Sequence, residues 1–129
     1  MNQGMRWKLP VTTMIMITLA LAAFSVFADG SVTAKVNSVR VDSDGRGIVF
    51  FNSNIITPAG CCPDPNICFM NAFAFDTNTT GGKSLFSLAI SAQLSGKSVT
   101  AFGKNSCLVY PRGAGQGWAE DLSYITMSN

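Results

Sequence analysis

Apolar and polar residues alternate along much of the chain after residue 30, and this alternation predicts β-strands. The first predicted strand, Val32 to Val41, changes parity between Val36 and Val39, which indicates a bulge or bend. Asp42-Ser43-Asp44-Gly45 is typical of a turn in which glycine takes a positive φ. The apolar run from Ile48 to Phe51 then returns as the second strand, so the pair is predicted to be a hairpin.

A loop and a third strand follow this hairpin. The segment from Asn52 to Ile67 contains three prolines, which disfavour any regular ladder. From Phe69 to Phe75 the alternation resumes and predicts the third strand. The first face carries Phe69, Asn71, Phe73 and Phe75, and the second carries Met70, Ala72 and Ala74.

An amphipathic helix is predicted next, because the apolar spacing changes from two residues to three and four. Leu85, Leu88, Ala89 and Ala92 fall at i, i+3, i+4 and i+7, and Gly96 is well placed as the C-terminal cap. Thr79 or Thr80 can cap the other end. Further apolar residues widen the apolar side, so we expect a mostly buried helix with a narrow serine stripe that could lie close to another backbone. The stripe consists of Ser84, Ser87, Ser91 and Ser95.

Two more strands complete the pattern. Ser98 to Tyr110 predicts the fourth strand, interrupted at Gly103 to Asn105, and Leu122 to Met127 predicts the fifth. Pro111 to Ala119 is predicted to be a glycine-rich loop between them. Three strands, a helix and two strands are the element order of an oligonucleotide/oligosaccharide-binding (OB) barrel. We therefore predict a mainly β fold, a five-stranded OB-fold-like barrel with one helix between strands 3 and 4.

The first 28 residues have the pattern of a signal peptide, which leaves residues 29–129 as a single domain. Arg6 and Lys8 precede the apolar run Val11 to Phe24, and Val26-Phe27-Ala28 has the small-x-small form of a cleavage site. The alternative is a membrane anchor, since only four hydroxyl residues interrupt the apolar run up to residue 28. We expect a secreted or periplasmic protein with no membrane span after cleavage.

Charge changes the picture once this segment is removed. The chain has nine Lys and Arg residues and seven Asp and Glu residues, and two of the basic ones, Arg6 and Lys8, lie in the signal peptide. The remainder is therefore neutral. A neutral chain lacks the basic surface that binds a phosphate backbone, so we expect no nucleic-acid partner. A neutral surface also tolerates association, which makes a homo-oligomer a reasonable expectation.

An even number of cysteines in a small exported chain predicts disulfides. A bridge between the neighbours Cys61 and Cys62 demands a distorted peptide. We therefore expect one of these two to bond Cys68 across a short loop and the other to bond Cys107. Their spacing differs from that of zinc knuckles, so we expect no metal site.

No catalytic motif is evident, and we predict that the protein is not an enzyme. The chain has no histidine, which removes the commonest general base and the usual nucleophile pairs. Gly82-Lys83-Ser84 lacks the preceding glycine of a phosphate loop, where this chain has Thr77, so we expect no cofactor. A carboxylate pair of Asp76 with Glu120 or Asp121 is the remaining route to a small hydrolase.

A ligand site is predicted at the loops that border the ligand face of OB barrels, the first hairpin turn and the loop before the last strand. Aromatic faces stack on sugar rings, and polar side chains bind their hydroxyls, so a glycan is the expected ligand. Alternatively, Trp118 plugs one end of the barrel. The candidate ligand-binding residues are Asp42, Asp44, Tyr110, Arg112, Gln116 and Trp118.

One part of the chain resembles a known family. DTNTTGGKSLFSLAISAQLSGKSVTAFGKNSC from Asp76, with the closing EDLSYITM, is similar to small exported bacterial proteins like the subtilase cytotoxin B subunit. The likeness covers roughly Phe73 to Met127 and matches Lys83, Gly96 and Cys107 as structural positions. It implies an OB fold, and a ring of five subunits that binds cell-surface glycans. The cysteine-rich loop departs from the family's pattern.

The sequence therefore leads to two hypotheses about the function of the protein. The first is a secreted or periplasmic, non-catalytic binding module with a cell-surface glycan or protein as partner, a pentamer if it is toxin-like. The alternative is a structural or protein-interaction module of the cell envelope with no small ligand, which associates through strand edges and the serine stripe.

Overall fold

The computed structural model describes residues 29–56, 60–61, 65–110 and 117–127. The predicted signal peptide, residues 1–28, lies outside them. The described residues form five strands, one α-helix, and a short 3-10 helix, Pro65–Ile67, before the third strand. The strands are β1 (Ser31–Val41), β2 (Arg46–Phe51), β3 (Cys68–Asp76), β4 (Ser98–Gly103) and β5 (Trp118–Met127), and α1 (Thr80–Ser95) lies between β3 and β4.

The strands close into a barrel in the order β1-β2-β3-β5-β4, with β4 paired back onto β1. All neighbours are antiparallel except β3 and β5, which run parallel. The register of β1 against β2 shifts between Val36 and Ser38, which confirms the predicted bulge. That bulge lets one long strand pair with β4 through its first half and with β2 through its second. The predicted OB-type barrel with a helix between strands 3 and 4 is confirmed.

Alternation along the strands builds two hydrophobic clusters, one on each face of the barrel wall. On β2 and β3, Val49 and Phe73 belong to the central core with α1, whereas Ile48 and Ala74 belong to a second, smaller cluster. Tyr110 packs in this second cluster and is completely buried. The segment that follows β4 therefore covers one face of β2 and β3, where small alanines leave room for the ring.

The predicted faces of β3 are correct at its end but wrong at its start. Phe73 and Phe75 point into the central core as expected. Phe69, predicted to share their face, packs instead with the second cluster, where its ring meets Phe50 edge-on at 5.5 Å between centroids. The cause is an irregularity in the pairing of β3 with β5 between Cys68 and Phe73, which breaks the two-residue period.

The caps of α1 agree with the sequence, but its burial does not. The Thr79 side chain accepts a hydrogen bond from the Gly82 backbone N–H at 2.9 Å, and Gly96 takes the left-handed conformation at φ 65°. The helix is not mostly buried, since only Gly82, Ala89 and Ala92 are buried along it. It lies on β1, β3 and β5 with one face. The four serines of the predicted stripe are exposed, and their hydroxyls donate to carbonyls of the preceding turn.

Both strands around the second long loop differ from their predicted bounds. β4 ends at Gly103 rather than at Tyr110, which forms only an isolated bridge with Ala119. β5 begins at Trp118 rather than at Leu122, so Trp118 is a strand residue and not a loop residue. Its strand position follows from the pairing with Cys68 of β3, a contact distant in the sequence.

One of the two predicted disulfides lies within the described residues. Cys61 bonds Cys107 and so ties the loop after β2 to the segment after β4. Cys68 is also disulfide-bonded. The second predicted bridge brings in Cys62, which lies outside the described residues.

Candidate functional site

The first hairpin turn is stabilised by hydrogen bonds within its own backbone and by hydrogen bonds from the loop after β3. The Gly45 N–H donates to the Asp42 carbonyl at 2.9 Å, and the Asp42 N–H donates to the Arg46 carbonyl at 2.8 Å. Gly45 has φ 87°, as the turn requires of a glycine. The Thr77 N–H donates to the Gly45 carbonyl at 2.8 Å, and the Asn78 side chain donates to the Asp44 carbonyl, also at 2.8 Å.

A cleft of about 620 Å³ opens beside this turn. Its wall combines charged side chains of the hairpin with two aromatic side chains and one glycine from other parts of the chain. The lining residues are Arg40, Asp42, Ser43, Asp44, Arg46, Phe69, Tyr110 and Gly117. The cleft therefore lies where the first hairpin turn meets the ends of the loop between β4 and β5.

Tyr110 joins the two sides of the cleft through its hydroxyl. The hydroxyl donates to Asp42 Oδ2 at 2.6 Å and accepts a hydrogen bond from Arg40 Nη2. Arg40 Nε lies 3.2 Å from Asp42 Oδ1, so the three side chains form a closed triangle of contacts. Arg40 lies at the end of β1 and Asp42 directly follows the strand, and both side chains reach Tyr110.

A second ion pair completes the charged wall. Arg46 Nε lies 2.6 Å from Asp44 Oδ2, and the Arg46 backbone N–H donates to Asp44 Oδ1 at 3.2 Å. These contacts, the backbone hydrogen bond first, hold the pKa of the Asp44 carboxyl below its ordinary value. Arg46 is held more deeply than Asp44, with 14% of its side chain exposed against 44%. Asp44 is therefore a charged, accessible acceptor.

Both guanidinium groups of the cleft also lie over the Tyr110 ring. Arg40 Cζ lies 5.6 Å from the ring centroid, and Arg46 Cζ lies 5.2 Å from it. Burial, and then the hydrogen bond to Asp42, raise the pKa of the Tyr110 phenol, so it remains a neutral donor at physiological pH. Tyr110 therefore orients charged groups in the cleft, and its ring is not a free stacking surface.

The structure brings together only some of the residues predicted for ligand binding. Asp42, Asp44 and Tyr110 line one cleft, as the loop arrangement of an OB barrel suggested. Trp118 is half-buried, directly after the lining residue Gly117, and starts β5. Arg112 and Gln116 lie outside the described residues.

Sequence reasoning missed the basic half of the cleft. Arg40 and Arg46 flank the turn, and their contacts pair them with Asp42 and Asp44. The signal was present in RVDSDGR, where each arginine lies two residues from an aspartate. Phe69 was also missed, because its predicted face was that of the central core.

The carboxylates considered for hydrolysis are held by backbone donors. Asp121 Oδ1 accepts from the Val109 N–H at 2.9 Å, and Oδ2 accepts from the Ser106 hydroxyl at 2.7 Å and the Leu108 N–H at 3.0 Å. Glu120 accepts from the Gly30 and Asn105 N–H groups. Both side chains are buried and anchor the chain after β4. Asp76 and Asp121 do line a second cleft, of about 390 Å³, beside the start of α1.

Nothing in the described part of the chain groups three metal-ligating side chains. Nor does that part contain a helix with the length and apolar character needed to cross a membrane. Comparison with family models, curated proteins and solved structures gives no match to this chain. The resemblance to toxin B subunits therefore stays a prediction.

Proposed function

We propose that the protein is an exported, non-catalytic binding module whose ligand is a glycan held in the cleft between the first hairpin turn and Tyr110. The observation that carries the proposal is the cleft itself. It has room for a sugar ring and offers both accessible donors and accessible acceptors within one wall. Arg40 has 51% of its side chain exposed and Asp44 has 44%.

The position of the cleft supports a binding role. OB barrels bind oligonucleotides and oligosaccharides at the face of strands 2 and 3 and at the loops between strands 1 and 2 and between strands 4 and 5. Here part of the strand 2 and 3 face is covered by Tyr110, and the cleft opens where the two loops meet. Among the described residues that line the cleft, two arginines are matched by two aspartates, so a phosphate backbone gains little from them.

Export and the lack of catalysis are parts of the same proposal. A disulfide that joins distant segments is typical of proteins in oxidising compartments, and the first 28 residues have the pattern of a signal peptide. Glu120 and Asp121 are buried under backbone hydrogen bonds, which supports a structural role for both.

The direct test is a glycan array probed with the purified protein, followed by titration of the best glycan against two variants. Arg40→Gln removes the exposed guanidinium of the cleft, and we expect about a tenfold loss of affinity or more. Lys35→Gln is the matched control, since Lys35 is exposed on the same strand but does not line the cleft. Absence of binding to any glycan, or equal losses in both variants, would contradict the proposal.

A second candidate is an association module, and one surface favours it. Phe102 and Tyr124 stack on neighbouring strands with ring centroids 4.8 Å apart. Tyr124 and Met127 are large apolar side chains that remain 48% and 40% exposed. If this surface joins copies of the chain, sedimentation should show an oligomer that Tyr124→Ser dissociates. A monomer at high concentration would contradict association.

A further inference from the structure

Each ion pair of the cleft places a hydrogen-bond donor beside an acceptor. Arg40 Nε and Asp42 Oδ1 are 3.2 Å apart, and Arg46 Nε and Asp44 Oδ2 are 2.6 Å apart. Adjacent hydroxyl oxygens on a sugar ring are separated by a similar distance. The single Nε–H of Arg46 already donates to Asp44. One ligand hydroxyl can therefore accept from a terminal guanidinium N–H while its neighbour donates to a carboxylate oxygen.

Among the described residues of the wall, the charges cancel in pairs. The described lining residues carry two guanidinium groups and two carboxylates, and every one of these groups has an opposite charge as a direct partner. The pKa of Asp44 is lowered, so that carboxylate stays ionised at any physiological pH. A carboxylate or phosphate on a ligand would meet arginines already neutralised and aspartates that repel it.

We propose that the cleft selects neutral saccharides that present two adjacent hydroxyls and discriminates against saccharides that bear a carboxylate or phosphate. This selectivity rests on the proposed glycan-binding function and adds the chemical class of the ligand. Arg40 and Asp44 are the specificity-determining residues, since they are the more exposed donor and acceptor of the two pairs. Tyr110 positions Arg40 and Asp42 from beneath.

The experiment compares matched neutral and acidic sugars on the purified full protein. The probes are the methyl glycosides of galactose, glucose and mannose, and the corresponding uronic acids, which differ only in the oxidation state of C6. Affinities are measured by NMR titration at low and at physiological salt. We expect every neutral sugar that binds to bind about tenfold more tightly than its uronic acid. Its affinity should also be insensitive to salt.

A charge variant makes the selectivity itself measurable. Asp44→Asn leaves Arg46 without its carboxylate, so the ratio of neutral to acidic affinity should fall by about fivefold to tenfold. Asp29→Asn makes the same substitution at an exposed position outside the cleft, and the ratio should not change. Partial unfolding would lower the affinity for neutral and acidic sugars alike. A change in the ratio of the two affinities therefore reports specificity.

The outcomes separate the two proposals. Uronic acids that bind as tightly as the neutral sugars, or more tightly, overturn the selectivity and leave glycan binding intact. An unchanged ratio in Asp44→Asn overturns the role of Asp44. If neither series binds and the glycan array is also blank, the proposed function fails, and the selectivity fails with it.

Discussion

Tyr110 is the residue through which the two sides of the cleft are linked. It lies 68 positions from Asp42 in the sequence, yet its hydroxyl donates to that carboxylate. Its ring is completely buried and contacts two guanidinium groups. A single side chain thus holds Asp42 and Arg40 in the wall of the cleft.

Removal of the Tyr110 hydroxyl should change both stability and its dependence on pH. Tyr110→Phe keeps the ring packing but loses the hydrogen bonds, at a cost of about 1 kcal/mol near neutral pH. Because the folded-state pKa of Tyr110 is raised, the wild type should lose stability as pH rises from about 10 through the folded value. In urea unfolding measured from pH 7 to 11, the free energy of unfolding of Tyr110→Phe should lack this part of the decline.

Tyr124→Phe is the control for this experiment, since Tyr124 is half-exposed and the variant keeps Tyr110. It should retain the alkaline decline of the wild type. A decline of the same size in Tyr110→Phe would show that Tyr110 is not the group responsible.

Asp121 should be far more sensitive to substitution than an exposed carboxylate such as Asp29. Asp121→Asn places an amide against the donors of Ser106, Leu108 and Val109, and we expect about 2 to 3 kcal/mol less stability in urea unfolding. Asp29→Asn makes the same change at an exposed position and should be nearly neutral. A similarly small effect at Asp121 would contradict its anchoring role.

For individual residues, the sequence predicts the two aspartates of the cleft but not Arg40 and Arg46. Asp42, Asp44 and Tyr110 follow from turn chemistry and from the known loop positions of OB barrels. Arg40 and Arg46 were missed because surface arginines beside a turn are ordinarily solvated. Their ion-pair partners, Asp42 and Asp44, are local, but the contact of both guanidinium groups with Tyr110 joins residues that are distant in the sequence.

Among the elements, α1 is the most predictable because its signals are local. The caps at Thr79 and Gly96 are correct, since each depends on residues within one turn. Its burial was overpredicted, because apolar residues on several sides do not reveal which side meets the barrel. Leu94, for example, is 83% exposed.

A glycine series in α1 tests these assignments. Gly96→Ala should cost about 1 to 2 kcal/mol, because alanine is strained at φ 65°. Gly82→Ala should cost more, since a Cβ there would lie 1.7 Å from the Asp76 carbonyl oxygen. Gly81→Ala is the matched control. A Cβ meets open space at that position, and we expect a gain of about 0.5 to 1 kcal/mol.

Thermal and urea unfolding measure the stability of the three variants relative to the wild type. Equal effects at Gly81 and Gly96 would contradict the left-handed cap. A neutral Gly82→Ala would contradict the close approach of the helix to the end of β3.

The strand bounds show where local patterns fail. β5 begins four residues earlier than predicted. The prediction began too late because Glu120 and Asp121 interrupt the apolar alternation. Both acids are buried in the strand because backbone N–H groups of distant residues satisfy them. A pattern based on hydrophobicity assigns such positions to a loop.

For the whole molecule, element order was sufficient to predict the barrel and the helix position. Strand neighbours such as β3 with β5 follow from the OB topology once the order is known. The Cys61–Cys107 bridge was one of the pairings that the sequence left open. Choice between the neighbouring cysteines needs the path of the loop, which no local pattern gives.

Loss of this bridge should weaken the whole fold. Its cysteines are 46 residues apart, and the chain-entropy model gives about 4 kcal/mol for a loop of that length. A variant with Cys61→Ser and Cys107→Ser should unfold at much lower urea. Binding at the cleft should also weaken, because Cys107 lies three residues before Tyr110. Unchanged stability would show that packing alone holds the segment after β4.

The site of binding is tested most directly by an NMR titration of backbone amides with the neutral methyl glycosides. The charged cleft predicts that the largest shifts occur at residues 40–46, at Tyr110 and at Gly117. Arg40→Gln should suppress them, and Lys35→Gln should not. Shifts centred on α1 or on the cleft lined by Asp76 and Asp121, or no shifts at all, would contradict a glycan site at the first hairpin turn.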